Sequence, residues 1–156
     1  MEIRTRVALR EGFRESKRSV MEGLSRECSD LPEVTFQNVE IVIGELLGNT
    51  AKYEAENEEV TVGVRVDSEY VYLVVESRGI RDNCDVLSQV LGLAQECVNR
   101  GIGCDFFLRQ HGLGHLLIAK CADESSYFDG VFRAKFGIKA ENVINKSGVL
   151  VDLALA

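Results

Sequence analysis

A change of apolar period near the middle of the chain restricts its fold more than any other feature. From Glu33 to about Tyr53, apolar side chains recur at Phe36, Val39, Ile43, Leu46 and Leu47, with Thr50 on the same stripe. That is the i, i+3, i+4, i+7 spacing of a helix with one buried face. A few residues later Val60-Thr61-Val62-Gly63-Val64-Arg65-Val66 alternates with period two, and Tyr70-Val71-Tyr72-Leu73-Val74-Val75-Glu76 is β-branched and aromatic. Asp67-Ser68-Glu69 between them reads as a turn, so the two runs form a hairpin. A long one-faced helix followed by a hairpin predicts a sheet with helices laid on it.

The remaining segments extend this plan. Residues 2–8 alternate loosely and predict a short strand. From about Glu11 to Glu27, Phe13, Val20, Met21 and Leu24 recur at helical spacing. Ser29-Asp30-Leu31-Pro32-Glu33 is a break followed by a helix start. Residues 82–100 return to helical spacing through Val86, Leu87, Val90, Leu93, Ala94 and Cys97, and Arg100-Gly101-Ile102-Gly103 ends that helix. A loop through Gln110 is expected next, then a glycine turn and a helix to about Cys121. Tyr127-Phe128, Val131–Phe136 and Gly148–Leu153 read as closing strands. The order β-α-α-β-β-α-α-β-β predicts a two-layer α/β sandwich. Its sheet is mixed and mostly antiparallel, its helices lie on one face, and it forms one domain over residues 1–156.

Composition narrows the function classes. A chain of 156 residues, 46% hydrophobic with one proline, is long and apolar enough for a real core. No apolar run approaches the length of a membrane helix, and the first residues lack the apolar stretch of a signal peptide, so a cytoplasmic protein off the membrane is expected. A net charge of −7 argues against nucleic acid as a partner. The basic N-terminal segment and the run Glu54, Glu56, Glu58, Glu59 read first as solvated surface. Five scattered cysteines without a CxxC pair indicate reduced thiols. A zinc set through Cys97, Cys104, His111 and His115 can be drawn, although its cysteine pair is too widely spaced for a usual knuckle.

Two short motifs carry chemistry. Glu45 and Asn49 lie four residues apart, one above the other on a helix, beside the apolar stripe and with Lys52 on their side. A carboxylate and an amide there can orient a nucleophile and hold a hard cation, or can simply face water. Gly112-Leu113-Gly114 precedes a helical run. Glycines let backbone N–H groups approach an anion at a helix N-terminus, or merely begin a helix.

In this order the motifs resemble those of the Bergerat-fold (GHKL) ATP-binding superfamily, whose histidine-kinase-like ATPase domain is shared by histidine kinases and gyrase. The chain looks most like the small anti-sigma-factor serine/threonine kinases of bacterial partner-switching systems, over nearly its whole length to about residue 138. Glu45-Leu46-Leu47-Gly48-Asn49-Thr50-Ala51 matches the N box, and Gly112-Leu113-Gly114 matches the glycine box after the ATP lid. Ile118-Ala119-Lys120 is typical of small bacterial kinases resembling the SiaB type. The resemblance implies that Asn49 coordinates Mg²⁺ bridging the phosphates of ATP. It implies that Glu45 orients or deprotonates a serine or threonine hydroxyl, and that the amides of Gly112, Leu113 and Gly114 hold phosphate oxygens. Such chemistry rests on positioning and charge neutralisation. The implied partners are an anti-sigma antagonist, a sigma factor or a second copy of the chain.

The chain departs from that pattern at the adenine end. The family's D-x-G-x-G box is here Ser77-Arg78-Gly79-Ile80-Arg81, leaving Ser77 and Gly79 as its adenine-side residues and Arg81 in place of the last glycine. Tyr53 stands where the N box carries histidine, His115 where leucine is usual, and the lid segment 101–107 is short and holds two aromatics. Two readings follow: an ATP-dependent kinase, or a degenerate, non-catalytic protein-binding module that has lost nucleotide. Histidine phosphotransfer through His111 or His115 is a third.

Overall fold

The structure, a computed structural model, describes residues 2–8, 13–53 and 59–138, with side chains from Glu15 onward except at residues 16, 50–53 and 59. The expected strand over 148–153 and the side chains of Lys52 and Tyr53 lie outside the described residues.

The elements in chain order are β1 (Glu2–Ala8), α1 (Phe13–Glu27), α2 (Glu33–Tyr53), β2 (Glu59–Val66) and β3 (Tyr70–Glu76). Then come α3 (Arg78–Asp82), α4 (Cys84–Arg100), α5 (Cys104–His111), α6 (Gly114–Cys121), β4 (Glu124–Phe128) and β5 (Val131–Gly137). The strands form one five-stranded sheet in the order β1-β2-β3-β5-β4. Every pairing is antiparallel, so the mixed sheet expected from sequence has no parallel pair among the described residues.

Local chemistry sets the turns. The Asp67 carboxylate accepts the amides of Glu69 and Tyr70, both at 2.8 Å, and closes the β2–β3 turn. Those two bonds to the charged form hold its pKa below the ordinary carboxylate value. The β4–β5 turn places Asp129 at φ 53° and Gly130 at φ 76°, two consecutive left-handed residues that suit the strand twist.

Alternation along the strands separates the two faces. Val60, Val62, Val64, Val71, Leu73, Val75, Phe132, Ala134 and Phe136 are buried on one face, where they join Val20 and Leu24 of α1 and Val39, Val42, Ile43 and Leu47 of α2. The helices therefore cover one face, as a two-layer α/β sandwich requires. A smaller core of Ala94, Phe107 and Leu116 ties α4, α5 and α6 together.

Three details differ from the sequence expectation. The burial arc of α2 is broader than the predicted stripe, taking in Val34 and Val42 and the polar Thr35 and Asn38. The segment after β3 is the short helix α3, which ends at Asn83 before α4 begins. The expected loop to Gln110 is largely α5. Gly101 and Gly103, both left-handed, separate α4 from α5, and Phe107 is buried against α4 and α6. Eight residues carry too few turns for a clear helical period.

Candidate functional site

Helices α2 and α6 pack against each other, and the contact joins the two motifs. A β-carbon built on Gly114 would stand 2.9 Å from Glu45 Oε2 and 3.7 Å from Asn49 Nδ2. No ordinary side chain fits there without moving the carboxylate. The glycine that opens α6 is therefore what lets the helix approach the carboxylate and the amide so closely. Gly112, just before it, has φ 80°, a left-handed conformation that disfavours a side chain. Leu113 occupies the N-cap position and makes no side-chain capping bond to the first amides of α6. Glu45, Asn49 and Gly112-Leu113-Gly114 thus form one cluster, at the end of α6 that favours negative charge.

Glu45 and Asn49 are half-buried. Loss of water around Glu45 raises its pKa, and the charge of Lys17 opposes that rise. Lys17 is a residue that sequence reasoning did not single out. It reaches from α1 across α2, where a β-carbon on Gly44 would lie 3.4 Å from both its Cδ and its Nζ. Its ammonium lies 3.8 Å from Glu40. Neither spacing nor motif could pair it with Glu45, because only the packing of α1 on α2 brings them together. A cavity of about 620 Å³ runs along the same α1–α2 seam, lined by Lys17, Met21, Phe36 and Glu40 among others.

The adenine-side residues behave differently. Ser77 is buried, and its Oγ accepts the Ile80 amide at 3.1 Å as the N-cap of α3. Gly79 lies inside α3 without a left-handed φ, and its carbonyl accepts the Asn83 side-chain amide at 2.9 Å. Residues 77–82 are thus a short helix with its own serine cap. Arg81 does not fill a cleft with its stem. A β-carbon on Gly130 would meet its Cγ at 3.2 Å, so the stem lies along the β4–β5 turn.

The other candidates are dispersed. His115 is buried and its Nε2 lies 3.2 Å from Tyr127 Oη, while His111 is exposed at the end of α5. The Cys104 thiol donates to the Cys97 carbonyl at 3.8 Å. Among the described residues no three His, Cys, Asp or Glu side chains gather to hold a metal ion. Phe107 of the expected lid belongs to the core, and Phe106 is exposed. Among the described residues no helix is long and apolar enough to cross a membrane. No family model matches the chain, and no curated protein matches it.

Proposed function

We propose that this chain is a cytoplasmic bacterial regulatory protein that binds Mg·ATP at the α2–α6 cluster and acts on a protein partner. One observation carries this reading: the close approach of Gly114 to Glu45 and Asn49. A carboxylate, an amide and a helix-opening glycine turn are the donor set that a magnesium-bound polyphosphate needs. The Asn49 side chain would hold Mg²⁺, and the amides of Gly112, Leu113 and Gly114 would receive phosphate oxygens. Bound Mg²⁺ supplies charge neutralisation for phosphoryl transfer.

The chain's own residues would do the rest. Glu45, kept partly desolvated and next to Lys17, is suited to accept the proton of an incoming serine or threonine hydroxyl. The γ-phosphoryl would pass to that hydroxyl oxygen, with ADP leaving and the proton resting on a Glu45 oxygen. The partner implied is a regulatory protein of the sigma-factor or antagonist kind.

A second reading, a non-catalytic protein-binding module, is favoured by a different observation. Ser77 Oγ already accepts a backbone amide, and an unpaired adenine donor would weaken nucleotide by about 1–3 kcal/mol. Calorimetric titration with Mg·ATP, with Asn49→Ala as control, separates the two. Saturable binding lost in Asn49→Ala supports the nucleotide site. Absence of heat at millimolar nucleotide, with the fold intact, supports the binding module.

A further inference from the structure

The face of the sheet away from the helices has no covering element among the described residues, and its chemistry is specific. Gly63 pairs with Val74, and Val74 with Arg133, so one row across β2, β3 and β5 has no side chain on β2 and only a valine on β3. The result is a depression of about 330 Å³ over Gly63 and Val74, walled by Arg65, Tyr72, Glu76 and Arg133. That volume suits one or two side chains of a ligand.

Two guanidiniums and one carboxylate border the depression. Arg65, Arg133 and Lys135 share the face with Glu76 and Glu124. Among the described residues this face therefore carries more cations than carboxylates, on a chain of net charge −7. Arg133 donates to the Phe128 carbonyl at 3.2 Å, and the Arg65 guanidinium lies 4.1 Å over the Tyr72 ring. Among the described residues neither guanidinium lies within 4 Å of a carboxylate, although the charge of Arg65 is felt by Asp67 at the adjoining turn. Stacking and the carbonyl bond hold both in fixed positions, which lowers the entropy lost on binding a carboxylate.

The same stacking speaks against nucleic acid. Bases would need free ring faces. Arg65 covers Tyr72, and the Lys135 ammonium lies 3.9 Å over Tyr70. Self-association through this face would bring like charges together.

We infer that the outer face of the sheet, centred on Gly63 and Val74 between Arg65 and Arg133, is a docking site for an acidic peptide segment of a partner protein. One apolar side chain of the segment fills the depression, and flanking carboxylates meet the two guanidiniums. The site lies on the opposite face from the α2–α6 cluster and does not depend on nucleotide.

The test uses the full chain and fluorescence anisotropy. The probe is a short labelled peptide of glutamates around one central leucine. Controls carry lysines for glutamates, or glycine for the leucine, or are labelled oligothymidylate. The expected result is saturable binding of the acidic leucine peptide that weakens with salt, as exposed charge pairs do. Arg65→Glu with Arg133→Glu should remove it. Gly63→Leu, which fills the depression and keeps both charges, should weaken it by about tenfold, the effect of losing one buried anchor. Circular dichroism of both variants checks that the sheet is intact. Equal binding of the lysine peptide, tighter binding of oligothymidylate, or affinity unchanged in Gly63→Leu would each overturn the assignment. So would concentration-dependent dimerisation that the charge reversals abolish.

Discussion

His115 Nε2 and Tyr127 Oη lie 3.2 Å apart inside the protein, and each is the polar partner of the other. Burial pushes the His115 pKa down to about 4, with the charge of His111 adding to the effect, and raises that of the Tyr127 phenol. A histidine depressed below its unfolded value of 6.5 stabilises the fold fully above that value. The contribution is lost as pH falls from 6.5 through about 4. The loss is on the order of 3 kcal/mol across that window. Urea unfolding at a series of pH values checks it. His115→Gln keeps a hydrogen-bonding group and should flatten the slope between those limits.

Gly112 and Gly114 predict different responses to the same substitution. Gly112→Ala forces a β-carbon onto φ 80° and should lower stability by about 1–2 kcal/mol. Gly114→Ala meets only the far end of the Glu45 side chain, and alanine is the better helix former, so stability should change by less than about 1 kcal/mol. The carboxylate, however, must move. Thermal melts with and without Mg·ATP should show Gly114→Ala folded like the parent but with a smaller nucleotide-induced rise in Tm. An unchanged rise would separate Glu45 and Gly114 from the proposed site.

The legible and illegible parts of this molecule divide by the range of the interaction. The long helix α2 and the β2–β3 hairpin were legible because their signals are local: period and turn chemistry. The pairing of Glu45 with Gly114 was expected only through the family resemblance, since residues so far apart in sequence meet through helix packing alone. Lys17 beside Glu45 was illegible for the same reason. Ser77 misleads in another way. As a sequence position it reads as a weakened adenine contact, but a serine before Arg78-Gly79-Ile80 is also an N-cap, and the local bond is made. α5 was missed because a glycine on each side and few turns imitate a loop.

Asn38 lies in the buried arc of α2, where its Oδ1 has no hydrogen-bond partner among the described residues. An unsatisfied buried acceptor costs about 1–3 kcal/mol, whereas leucine has nearly the same shape and no polar atom. Asn38→Leu should therefore raise stability by about 1 kcal/mol. Chemical denaturation checks this through a higher midpoint at unchanged slope. A lower midpoint would mean that the side chain is held by its other polar atom or by bound water.

Glu45 links stability to the proposed chemistry. Burial raises its pKa, so folding disfavours the ionised carboxylate relative to the unfolded chain, and that form is a burden wherever pH exceeds the raised value. The burden is absent below the unfolded pKa and complete above the folded one. Glu45→Gln removes it, so the variant should melt higher than the parent at pH 7–8, and the advantage should shrink as pH falls through the raised pKa. Lys17→Met removes the charge that, among the described residues, opposes the shift, and should lower the parent's Tm at neutral pH while leaving that of Glu45→Gln less affected. The four proteins form a double-mutant cycle read by thermal melting. Coupling between the two positions, with transfer activity lost in Glu45→Gln despite its greater stability, is the outcome expected of a carboxylate kept for reaction at the expense of the fold. Additive effects would mean that Lys17 acts on Glu40 alone.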